Sequence, residues 1–73
     1  MMAPVKNAGE AINIGDNFVA RYHYYKKLLT CNLAEDWALV YDVGVLRSEY
    51  VKLRLDPETG EVLEYTNHGA EKP

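Results

Sequence analysis

Cysteine is nearly missing from this chain. Cys31 is the only one in 73 residues, so no disulfide can close within it. That removes the commonest covalent staple of small domains and fits a reducing compartment. Long apolar runs are missing too, since nothing approaches the roughly 20 apolar residues that span a bilayer. Met1 to Gly9 has no apolar run behind a basic start, so no secretory signal is read and a cytoplasmic location is expected. An excess of basic charge is also missing. Eight Lys and Arg stand against eleven Asp and Glu, a net charge of -3. Such a chain has no global attraction to nucleic acid or to anionic lipid, and neither is expected as a partner. No glycine-rich loop follows any expected strand, which removes the usual nucleotide signal.

At this length one domain over residues 1-73 is expected, with flexible ends at 1-6 and 67-73. It would bury only about 60% of its unfolded surface, so a partner subunit is a natural source of added stability.

Asn7 reads as a helix N-cap, with Glu10 three positions later completing a capping box. Ala11, Gly15, Phe18, Tyr22, Tyr25 and Leu29 then recur at spacings of three and four. That pattern predicts one amphipathic helix reaching about Leu29 or Thr30. Gly15 lies on its inward stripe. It admits a close approach of helix to sheet, a helix break capped by Asp16, or space for a ligand. Tyr22 and Tyr25 are expected inward with hydroxyls near the rim, and Tyr24 outward.

From Trp37 the period changes from 3.6 to 2. Trp37, Leu39, Tyr41 and Val43 share one side of a first strand. Either a tight turn at Arg47-Ser48 or a longer loop from Gly44 leads to the second. There, Val51, Leu53 and Leu55 alternate with Tyr50, Lys52 and Arg54, the pattern of a sheet covered on one face. Asp56-Pro57-Glu58-Thr59-Gly60 is a turn: Pro57 presets φ and Gly60 supplies a positive one. A return strand over Glu61 to Thr66 follows, with Leu63 and Tyr65 the expected inward pair. The expected fold is α+β: one long N-terminal helix packed on a three-stranded antiparallel sheet.

A helix, a Trp-led strand, and a strand running into Asp-x-x-Thr-Gly-Glu-Val resemble the PepSY family. The matching pieces are Trp37 to Tyr41, Tyr50 to Leu55, and Asp56, Thr59, Gly60, Glu61 and Val62, within residues 8 to 66. The resemblance implies a helix laid on a three-stranded sheet. It also implies a role in restraining peptidases or mediating protein contacts, often at the cell envelope or in protease propeptides. It carries over no catalytic residue.

The chemistry-bearing residues point away from catalysis, and the chain is not expected to be an enzyme. His23, Cys31 and His68 share no short ligand spacing, so neither a metal nor a cofactor is implied. Cys31 follows His23 by eight positions, about 11 Å along a helix, too far for activation of a thiol. The acids Glu35-Asp36 fall in a polar loop, and Asp56/Glu58/Glu61 surround an exposed turn, where nothing raises a pKa for acid catalysis. Arg21, Lys26, Lys27 and Tyr24 form a small basic and aromatic patch. Two functional readings stand. In the first, Val40, Tyr50, Lys52, Arg54 and Glu64 on the outer sheet face contact a second copy, as a homodimer, or an unknown protein. In the second, Gly15, Tyr22, Tyr25 and Trp37 line a gap that takes a small ligand.

Overall fold

A computed structural model describes Val5 and residues 7–73. The order is α1 (Ala8–Val19), β1 (Lys27–Leu33), β2 (Trp37–Asp42), β3 (Tyr50–Leu55) and β4 (Val62–Gly69). The α+β class is as expected, but the sheet has four antiparallel strands in the order β1-β2-β3-β4. The extra strand, Lys27–Leu33, takes the last residues of the expected helix and the residues just after it.

The helix begins as the capping box predicts. Asn7 is extended, and its side chain accepts from the Glu10 N–H at 2.9 Å. It ends at Val19, ten residues before Leu29. Tight turns close it, with the Tyr22 and His23 N–H groups both donating to the Val19 carbonyl at 3.0 Å. Residues 21–25 hold three tyrosines and a histidine, poor helix formers that resist continuation only weakly. The deciding term is β2. Its alternate residues Trp37, Leu39 and Tyr41 are buried, and an unpaired edge there would leave backbone groups without partners. Lys27–Leu33 satisfies that edge, pairing Cys31 with Leu39 and Leu33 with Trp37.

Val19, Ala11, Leu39, Tyr41, Val51, Leu53 and Leu55 are completely buried between helix and sheet. The inward sides of β2 and β3 are those the alternation predicts. Gly15 permits the close approach. A methyl group built on it would stand 2.6 Å from the Tyr41 hydroxyl and 3.0 Å from Leu39 Cδ2. Tyr41 donates to Asp16 Oδ1 at 2.8 Å, so its buried hydroxyl is partnered. The helix runs unbroken through this point.

Bulges reset three side chains. The register shifts between Leu28 and Thr30 in β1, which leaves Leu29 unpaired and 42% exposed. In β4, Leu55 faces Val62 while Arg54 faces Glu64, so Leu63 is the extra residue. Leu63 is therefore exposed, and Val62 joins Tyr65 against the core, correcting the expected Leu63–Tyr65 pair. A third shift leaves His68 unopposed. β4 extends through Asn67 to Gly69, which pairs with Tyr50, so the strand enters the segment expected to be a flexible tail. Of the other expected flexible segment, 1-6, only Val5 lies within the described residues. It is buried, its N–H donates to the Pro57 carbonyl at 2.8 Å, and its carbonyl accepts from Trp37 Nε1 at 3.4 Å.

The Asp56 turn is closed as its sequence predicts. The Gly60 N–H reaches the Asp56 carbonyl at 2.7 Å, and Asp56 Oδ1 accepts from the Glu58 N–H at 2.7 Å. Gly60 has φ 76°, the left-handed region. The β2–β3 connection is the longer alternative, spanning residues 43–49.

Candidate interaction surfaces

The four residues of the expected ligand gap are not brought together. Gly15 is buried against Tyr41 and Leu39. Trp37 is buried beside Val5, near the start of the helix. Tyr22 and Tyr25 follow the end of the helix and are 60% and 42% exposed, so they do not point into the sheet as expected. Tyr24 is fully exposed, as expected. The ring of Tyr22 stacks on Tyr65 at 5.6 Å between centroids, with Phe18 closing the cluster at 5.3 and 5.5 Å. His23 joins the cluster, placing Nε2 2.6 Å from the Tyr65 hydroxyl. Burial, and then the charge of Glu49, holds the Tyr65 phenol above its ordinary pKa.

The residues of the expected interaction surface do share a face. The register pairs Val40 with Lys52, Arg54 with Glu64 and Asp42 with Tyr50. All lie on the side of the sheet away from α1, because their strand neighbours are the core residues. Arg54 anchors this face. It donates through one nitrogen to Asp36 and through the other to Glu64 at 2.9 Å, and the Thr66 hydroxyl donates to Glu64 at 3.0 Å. The Arg54 hydrogen bond, then that of Thr66, holds the Glu64 carboxyl below the usual range. At the other end of the face, Leu29, Thr30, Val40 and Tyr50 line a shallow cleft of about 410 Å³ with Lys72 and Pro73. Val40 and Tyr50 thus line a cleft on the same face as the Arg54 charge network.

Asp42 closes the β2–β3 loop. Its Oδ1 accepts from the Gly44 N–H at 3.0 Å and the Glu49 N–H at 3.2 Å. These bonds, Gly44 first, depress its pKa in the folded state. A depressed carboxyl contributes stability that is complete above the unfolded value of about 4 and lost as pH falls through the folded one. Thermal melts below about pH 4 should therefore show acid destabilisation that is smaller in Asp42→Asn than in the parent. Parallel pH profiles for the two proteins would contradict this role for Asp42.

The chemistry of an active site is sparse. Burial raises the Cys31 thiol above its ordinary pKa, which lowers its thiolate fraction at neutral pH. Among the described residues, no three His, Cys, Asp or Glu side chains are grouped so as to hold a metal ion. No helix among them is long and apolar enough to cross a membrane. Comparison with known proteins finds no matching family model, no matching curated protein and no matching solved structure.

Proposed function

We propose that this domain is a small non-enzymatic interaction module that associates with a second copy through its open sheet face. The observation that carries this reading is that Val40 and Tyr50 lie together on a face where Arg54 already engages the carboxylates of Asp36 and Glu64. An apolar centre bordered by polar groups is the arrangement expected of a contact surface. A two-fold contact would place that patch against itself, with Lys52 and the carboxylates of Asp36 and Glu64 at its border. The PepSY resemblance, resting on the Asp56 to Val62 hairpin and the helix-on-sheet plan, supports a role in protein contacts. A ligand held among Gly15, Tyr22, Tyr25 and Trp37 finds no support, because Gly15 is filled against Tyr41.

Sedimentation velocity at micromolar concentration tests the reading. A species of about twice the 8.3 kDa chain mass is expected. Val40→Lys introduces an unpaired charge at the centre and should weaken self-association about thirtyfold. A parent protein that stays monomeric throughout would overturn it.

A further inference from the structure

The net charge of -3 conceals a strong segregation along the sheet. The register Lys27–Asp42–Tyr50–Gly69 defines one end of the four strands. Three segments meet there: residues 20–26 between helix and β1, the β2–β3 loop at 43–49, and the tail at 70–73. Together with Lys27, the first residue of β1, they bring Arg21, Lys26, Arg47 and Lys72 to this end, five of the chain's eight cations. Of the carboxylates at this end, Asp42 is engaged by two backbone N–H groups and Glu49 accepts from Asn67 Nδ2 at 2.8 Å; Glu71 is the third. The turns at the opposite end hold Glu35, Asp36, Asp56, Glu58 and Glu61.

The same basic end displays most of the large apolar groups that the fold leaves outside. Leu46 is 99% and Val45 77% exposed at the loop tip, and Tyr22, Tyr24 and Tyr25 are exposed beside the helix exit. Two adjacent aliphatic side chains held in water on a loop, followed directly by Arg47, contribute nothing to the core. Aliphatic tips, tyrosines and surrounding cations are the combination that suits the boundary between lipid headgroups and acyl chains. A nucleic-acid surface uses the tyrosines and cations but gains little from Val45 and Leu46.

We propose that this end docks on an anionic lipid surface. Val45 and Leu46 enter the acyl boundary, the tyrosines sit at headgroup level, and Arg21, Lys27, Arg47 and Lys72 meet the lipid phosphates. The acidic opposite end is repelled, which orients the molecule with its strands steeply inclined to the surface.

Co-pelleting of the full chain with large unilamellar vesicles tests this. Binding is expected to equimolar phosphatidylglycerol and phosphatidylcholine, and not to phosphatidylcholine alone. It should weaken as salt is raised, because exposed charges are screened. Val45→Ser/Leu46→Ser should bind about tenfold more weakly, since both side chains lose their apolar burial. Its melting temperature should be unchanged, because neither residue packs in the core. Absence of binding to the anionic vesicles at low salt would overturn the proposal. So would equal binding by the double variant, or a preference for a single-stranded oligonucleotide over the vesicles. Sheet-face association is read by sedimentation, so the two readings fail separately.

Discussion

Gly44→Ala should destabilise the domain by about 3 kcal/mol, the upper range for a local backbone conflict. A methyl group at Gly44 would stand 1.7 Å from the carbonyl oxygen of Arg47 and 2.8 Å from the Glu49 nitrogen. Both are backbone atoms of the same loop, so no side-chain rotation relieves the overlap. The loop must open. Opening it disturbs the Gly44 and Glu49 N–H bonds to Asp42 and the Val43 N–H bond to the Glu49 carbonyl at 2.8 Å. These hold the central hairpin closed between β2 and β3. A domain of this size is worth roughly 4 to 11 kcal/mol in all, so the loss is a large fraction. A fall in melting temperature of about 15 °C is expected. A variant that melts with the parent would show that the loop has another conformation of equal energy. The change also moves Val45 and Leu46, so vesicle binding should fall with it.

Gly15→Ala should destabilise by about 2 kcal/mol even though alanine is the better helix former. The intrinsic gain is about 1 kcal/mol at an exposed helical site. Here the added methyl group meets the Tyr41 hydroxyl at 2.6 Å and Leu39 Cδ2 at 3.0 Å. Tyr41 is completely buried and tied to Asp16, so its ring has nowhere to retreat without giving up that bond. Either the helix lifts from the sheet or a buried hydroxyl loses its partner. Denaturant unfolding reads the difference. The control is Gly15→Ala with Tyr41→Phe, which removes the colliding oxygen and should recover part of the loss. Without any recovery, the conflict would belong to Leu39 and not to the Tyr41 hydroxyl.

These two glycines differ in how far the sequence announces them. Gly15 falls on the inward stripe of a clear helical period, so a close approach is one of few reasons for it to be there. Gly44 sits in a loop whose turn chemistry leaves its shape open. Its role appears only when the Arg47 carbonyl is seen to occupy the place of a side chain.

The surfaces divide in the same way. Val40, Tyr50, Lys52, Arg54 and Glu64 share a face because strand alternation places them there, and alternation is visible in sequence. The basic and apolar end is visible only in part. Arg21, Lys26, Lys27 and Tyr24 are close in sequence and read as a small patch. Arg47, Val45 and Leu46 are about twenty residues away and Lys72 is further still. Antiparallel pairing of four strands brings their connections to one end.

What the sequence determines by itself is therefore local and periodic. It sets the N-cap at Asn7, the inward sides of β2 and β3, the Asp56–Gly60 turn, and the single cysteine that rules out a disulfide within the chain. The helix's length was decided by tertiary structure. Strands of six residues span about 20 Å, and twelve helical residues cover about 18 Å of that. A helix continuing to Leu29 would overhang the sheet and leave the edge of β2 unpaired. Residues 27–33 have a weak preference of their own and take the conformation that completes the edge. The bulges at Leu29 and Leu63 follow from the same cause: a strand fitted to a neighbour's register turns single residues outward that a strict alternation would turn in.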